Sequence, residues 1–134
     1  MESKSRKVLY IEDQPEMIEL VRLTLRRNGC EVYGAMDGAQ GLAMMRDLRP
    51  DVVLLDLMLP GWDGWQVHKA MQADETLKSL PVILVTARPQ GNGHVAGRQP
   101  PPAAAYITKP FSLAEIRSKI DAVLTSREQA MATA

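Results

Sequence analysis

Cysteine is nearly absent from this 134-residue chain. The single Cys30 rules out an internal disulfide, fits a reducing cytoplasm, and reads most simply as a small buried hydrophobe at the start of a strand. There is no excess of charge of either sign: 16 basic residues balance 16 acidic ones, so nothing marks a nucleic-acid polyanion as partner. No apolar run approaches the about 18 residues of a membrane span. The polar start, Met-Glu-Ser-Lys-Ser-Arg-Lys, is not a signal peptide. Histidine is scarce too. His68 falls on an expected helix and His94 in an expected loop, neither with metal-ligand spacing, so both read as surface residues. Aromatic residues make up 4% of the chain, and the methionines (Met17, Met36, Met44, Met45, Met58 and Met71 among them) read as adaptable core. What is present, 46% apolar and 24% charged residues, is the composition of one soluble globular domain. Its expected extent is 6–126, with frayed tails at 1–5 and 127–134.

Short apolar runs alternate with helical periodicity. Strands are expected at 7–11, 30–35, 52–56, 82–86 and 105–108. The run 52–56 is apolar up to its last residue, as a central strand covered on both faces should be. Helices are expected at 15–28, with Pro15 in the first turn and Gly29 as the stop, then at 38–48, 63–73 and 112–126. Ser112 with Glu115 has capping-box spacing. Repeated strand–helix units predict a doubly wound α/β fold, a five-stranded parallel sheet with helices on both faces. One stretch breaks the rule. Residues 88–102 carry Gly91, Gly93 and Gly97 and end in Pro100-Pro101-Pro102, with only Val95 and Ala96 apolar between the flanking prolines. Each internal glycine costs a helix about 1 kcal/mol and each proline about 3. A mobile loop is expected in place of a crossover helix, with at most one helical turn at 94–98. It would leave part of strands 82–85 and 105–107 uncovered and open to a partner or second copy.

Carboxylates gather at the carboxyl ends of the strands. Glu12 and Asp13 follow the first and Asp56 ends the third, while Thr86 ends the fourth and Lys109 follows the fifth. In open parallel sheets this edge, where strand order reverses, is where ligands bind. Acidic groups crowded there repel one another unless a metal neutralises them, which points to divalent-metal binding and phosphoryl transfer onto an aspartate.

The segments Ile11-Glu12-Asp13, 56–64 (Asp-Leu-Met-Leu-Pro-Gly-Trp-Asp-Gly), Val85-Thr86-Ala87 and 106–111 (Tyr-Ile-Thr-Lys-Pro-Phe), in that order, resemble the receiver domains of bacterial two-component response regulators over nearly the whole chain. The resemblance implies a flavodoxin-like sheet of order 2-1-3-4-5, the order of the chemotaxis regulator that serves as a standard example of this topology. It implies Asp56 as phosphoacceptor, and Mg²⁺ held by Asp13, Asp56, the Met58 carbonyl and, through water, Glu12. Lys109 would pair with Asp56 and then with the phosphoryl group, across a cis Lys109-Pro110 bond. Thr86 would donate to the phosphoryl group and Tyr106 would turn inward as the switch. Met58 and Arg88 would flank the path of water in slow autodephosphorylation. A sensor histidine kinase or histidine phosphotransfer protein is the implied donor, and a downstream protein the target of a free-standing switch.

Other readings compete. Asp63 with Gly64 suits a turn better than a metal site, Trp62 and Trp65 suit helix packing, and Arg22, Arg26 and Arg27 suit a solvated face. A phosphatase of the haloacid dehalogenase type needs an acidic residue two positions after its nucleophile, where this chain has Met58. A flavodoxin's phosphate loop would be repelled by Glu12-Asp13. The alternative that stays open is a receiver-like protein-binding module acting without phosphate, favoured by the missing crossover helix.

Overall fold

The computed structural model describes residues 5–133, with side chains through residue 130. Five strands form one parallel sheet: β1 (Arg6–Ile11), β2 (Cys30–Ala35), β3 (Val52–Asp56), β4 (Val82–Thr86) and β5 (Ala105–Thr108), in the order β2-β1-β3-β4-β5. The helices are α1 (Pro15–Arg26), α2 (Gly38–Leu48), α3 (Gly64–Gln72) and α4 (Leu113–Thr133). The expected topology and the expected lack of a helix between β4 and β5 are both present.

Strand periodicity explains the two-sided core. Successive residues point to opposite faces, so Val8, Tyr10, Leu54, Ile83, Val85 and Ile107 pack with Ile18, Val21 and Leu25 of α1 and Ile116 and Ile120 of α4. Leu9, Ile11, Val53, Leu55, Val82 and Leu84 pack with Leu42 and Met45 of α2 and Val67 and Met71 of α3. Their alternation puts β1 and β3 in the middle of the protein, and Glu12 and Asp56 emerge where those strands end.

Three expectations need correction. The face over β4 is not open: Val82 to Val85 are buried, and Val95 from the helix-less segment is 2% exposed. Leu77, Leu80 and Ala103 help close that layer over β4, whereas on β5 Tyr106 stays 41% exposed and Ala105 is half-buried. Residues 94–98 form no helical turn either. Val95 and Arg98 exchange backbone hydrogen bonds of 2.8 and 3.0 Å about a tight reversal. Ala96 at φ 51° and Gly97 at φ 74° supply the left-handed pair that such a hairpin turn needs. The segment is also held down along its length. Trp65 Nε1–H donates to the Gln99 carbonyl (2.9 Å), the His68 ring contacts the Pro102 carbonyl (3.0 Å), and the Tyr106 hydroxyl donates to the Pro101 carbonyl (2.8 Å).

Finally, α4 runs on to Thr133 instead of ending near residue 126. Arg127 donates to the Asp51 carbonyl and Glu128 pairs with Arg6, so 127–130 is bound to the sheet's lower edge and is not a frayed tail. The expected loose start at 1–5 lies, but for Ser5, outside the described residues.

Candidate acid-pocket site

Each member of the site is carried to the sheet's upper edge by its own element. Asp56 is the last residue of β3 and is 3% exposed, and Glu12, one step beyond β1, is fully buried. Asp13 follows on the surface. One carboxylate oxygen from each of Glu12, Asp13 and Asp56 lies within 4.8 Å of the others. Lys109 reaches in from beyond β5, after a backbone bond from its N–H to the Thr86 carbonyl and before a cis bond to Pro110. Its Nζ donates to Asp56 Oδ2 at 2.7 Å and to Glu12 Oε1 at 3.3 Å. The second of these bonds was not anticipated: the lysine bridges both buried carboxylates.

Backbone donors fix the remaining oxygens. Met58 N–H donates to Asp56 Oδ1 (2.9 Å) and Asp13 N–H to Glu12 Oε2 (3.0 Å). Burial is the first cause that pushes the Glu12 carboxyl up to about 7; hydrogen bonding to Asp56 and that group's charge add to it, and Lys109 opposes it. For Lys109 burial works against the ammonium, but its hydrogen bond to Asp56 and the charges of Asp56 and Glu12 outweigh that and hold its pKa above the ordinary value. The ligand atoms that Glu12, Asp13 and Asp56 offer are all oxygens, the set preferred by small hard cations.

Thr86 is buried at the end of β4, but its hydroxyl donates to the Ala87 carbonyl at 3.0 Å and not to the acid group. Tyr106 is not in the pocket: it is 41% exposed and tied to Pro101. Met58 and Arg88 are exposed. Sequence reasoning missed Tyr10, whose i, i+2 spacing on β1 puts it on the same face as Glu12. Its hydroxyl is buried beside Glu12, and burial, with the charges of Glu12 and Asp56, makes it very hard to ionise. Reasoning from sequence also missed that Asp63 caps α3 in a reciprocal capping box with Gln66, although the Asp-x-x-Gln spacing could have shown it.

A parallel sheet of this order, with two buried carboxylates, a surface one and a lysine at its carboxyl edge, defines a receiver-type acid pocket. The family described as "Response regulator receiver domain" matches residues 8–121, and the chain belongs to that family. The DNA-binding dual master transcriptional regulator RpaA of Synechocystis sp. is 36% identical over 118 residues, covering 88% of this chain and 48% of the relative. The DNA-binding response regulator MtrA of Mycolicibacterium smegmatis is 34% identical, covering 96% and 54%. The chain thus spans about half the length of the curated relatives it matches. Among solved structures, a putative response regulator from Chloroflexus aurantiacus superimposes with a TM-score of 0.78 at 28% identity, covering 91% of this chain and 99% of that one. The chemotaxis response regulator CheY4 of Vibrio cholerae gives 0.76 at 27% identity, covering 90% and 99%. Among the described residues no helix is long and apolar enough to cross a membrane.

Proposed function

We propose that this protein is a phosphorylation-dependent switch of the cytoplasm. Asp56 accepts a phosphoryl group from a histidine kinase, a histidine phosphotransfer protein or a small phosphodonor, and the change alters binding to a downstream protein. The observation that carries the reading is the Lys109 Nζ contact of 2.7 Å with a nearly buried Asp56. A carboxylate so placed is pre-aligned, and the ammonium stands where phosphoryl charge will grow. Mg²⁺ would be held by Asp13, Asp56 and the Met58 carbonyl, with Glu12 acting through water, and when bound it would supply charge neutralisation for the acidic cluster and the incoming phosphoryl oxygens. Thr86 would exchange its bond to the Ala87 carbonyl for one to the phosphoryl group. Tyr106 would have to release the Pro101 carbonyl to turn inward, so the switch pulls on the proline run.

The test is incubation with Mg²⁺ and acetyl phosphate, followed by intact mass and by the fluorescence of Trp62. Addition of one phosphoryl group in the wild type, and none in Asp56→Asn, is expected. A wild type that stays unmodified and silent would favour the phosphate-independent binding module.

The buried Glu12 makes metal binding depend on pH. Its folded value of about 7 lies above its ordinary 4.5, so the metal-free fold holds a proton there that the unfolded chain gives up. This contribution to stability is fully present below about 4.5 and is lost as pH rises through about 7. Metal binding must expel the same proton, so apparent Mg²⁺ affinity is expected to rise by up to about tenfold per pH unit from about pH 6 and to level off by about pH 8. Calorimetric titration across that range checks it. An affinity that stays flat with pH would mean that Glu12 is already ionised in the metal-free state.

A further inference from the structure

A cavity of about 430 Å³ beside the acid pocket is lined by Asp13 and Met58 together with Asp63, Trp65, Ala96 and Arg98. Arg98 has no counterpart in the acceptor set, yet its placement is specified from three sides. The hairpin turn at Ala96-Gly97 ends on it. Its Nη1 donates to Asp63 Oδ2 at 3.1 Å, and its guanidinium lies 4.2 Å from the centre of the Trp65 ring. Asp63 divides its carboxylate, because Oδ1 accepts the Gln66 N–H that caps α3. The guanidinium has five N–H donors, and one of them is committed to a side chain among the described residues. A planar, pre-positioned and partly neutralised cation therefore shares a cavity with Asp13 and Met58, two of the residues that the acceptor reading assigns to the metal.

We propose that Arg98 is a specificity-determining residue for the phosphodonor: it binds the acyl end of small acyl phosphates in this cavity. The inference rests on Asp56 being the acceptor. In the step concerned, an Asp56 carboxylate oxygen forms a bond to phosphorus while the phosphorus–oxygen bond to the acyl group breaks. The bonding pair leaves on the acyl oxygen as a free carboxylate, and no proton is needed. Negative charge thus grows on the leaving group, where a guanidinium offers paired donors in the geometry of a carboxylate. Phosphoramidate makes the contrast. Its nitrogen carries three protons as an ammonium in the reactive zwitterion, so the phosphorus–nitrogen bond breaks with the pair on nitrogen and the group departs as neutral ammonia, and Arg98 has nothing to stabilise.

The experiment compares the rates of Asp56 phosphorylation by acetyl phosphate and by phosphoramidate in the wild type, Arg98→Gln and Arg98→Lys. Arg98→Gln is expected to lose about tenfold with acetyl phosphate, an exposed-site fraction of what a buried oxyanion donor supplies, and to stay within about twofold with phosphoramidate. Arg98→Lys, which keeps the charge without the fork, should fall between. Equal losses with both donors would show a purely structural role and overturn the proposal, as would no change with either. A second readout needs no turnover: acetylphosphonate, added with Mg²⁺ to Asp56→Asn, should shift the Arg98 Nε–H resonance, and a resonance that does not move counts against the subsite. A wild type labelled by neither donor would sink the acceptor reading and the subsite together. Labelling with an unaltered donor ratio in Arg98→Gln would sink the subsite alone.

Discussion

Lys109→Ala is expected to lower the stability of the metal-free protein by about 2–4 kcal/mol, as removing one partner of a buried ion pair leaves a charge without compensation. The estimate sits below that of a fully buried pair because the lysine side chain is 34% exposed, whereas Glu12 and Asp56 are 0% and 4%. Two buried carboxylates would then face each other with no cation. The protein has one outlet, a proton on Glu12, whose carboxyl is already raised to about 7 by burial and by Asp56. The loss should therefore shrink toward about pH 6 and grow toward about pH 8. Urea unfolding at both values measures it. Adding Asp56→Asn to Lys109→Ala should recover most of the loss, because the two substitutions act on one interaction and are not additive. Saturating Mg²⁺ should also recover it, since a ligand that binds only the folded state stabilises it. A loss of under about 0.5 kcal/mol at both pH values would show the bridge to be worth no more than a surface pair.

Gly64→Ala carries the second large effect, and two principles disagree about its sign. Gly64 begins α3, where alanine is the better helix former by about 1 kcal/mol. Yet a β-carbon there would stand 2.6 Å from Leu57 Cα and 2.8 Å from the Asp56 carbonyl oxygen, and backbone cannot step aside as a side-chain tip can. The clash wins, with an expected net loss of about 2–3 kcal/mol. Gly41→Ala is the control. Its close contact is the mobile end of Ile11, at 2.4 Å, and a smaller cost is expected. Because the clash falls on Asp56 and Leu57, the proposed phosphorylation should also slow, by about tenfold for a displacement of a few tenths of an ångström at the proposed acceptor. Thermal unfolding and the acetyl phosphate rate together separate the two effects. A rate that stays normal in a destabilised Gly64→Ala would mean that the β3–α3 turn yields without moving the carboxylate.

The sheet and the residues at its carboxyl edge were legible because both follow from local pattern. Apolar runs marked β1, β3 and β4, and the residue that ends or follows a buried strand must appear at the edge. Chemistry at that edge needs only residue identity: three carboxylates, a hydroxyl and a lysine. The path of the helix-less segment was not legible, since its contacts lie far apart in sequence. Arg98 meets Asp63, 35 residues away, and Trp65 meets Gln99, 34 residues away. Glycine and proline content said correctly that no helix would form, but was also taken to leave part of β4 uncovered, which Val95 and its neighbours contradict. The end of α4 was missed for a simpler reason. Arg127, Glu128, Gln129 and Ala130 favour helix individually, but the general tendency of terminal segments to fray was allowed to outweigh that preference. Arg127 then found the Asp51 carbonyl, a partner no local window contains.

The β4–β5 connection also bears on how such a protein can diversify. It is fastened by backbone carbonyls at Gln99, Pro101 and Pro102, and a carbonyl is present whatever residue carries it. Residues at exposed positions such as Gly91 and Gln99 can therefore change without loosening those attachments. A crossover helix has no such freedom, because every change is constrained by its packing face and its helical periodicity. Descendants of this chain could acquire new partners by drift in one loop while Glu12, Asp13, Asp56 and Lys109 stay fixed, with selection acting separately on receiving a signal and on delivering it.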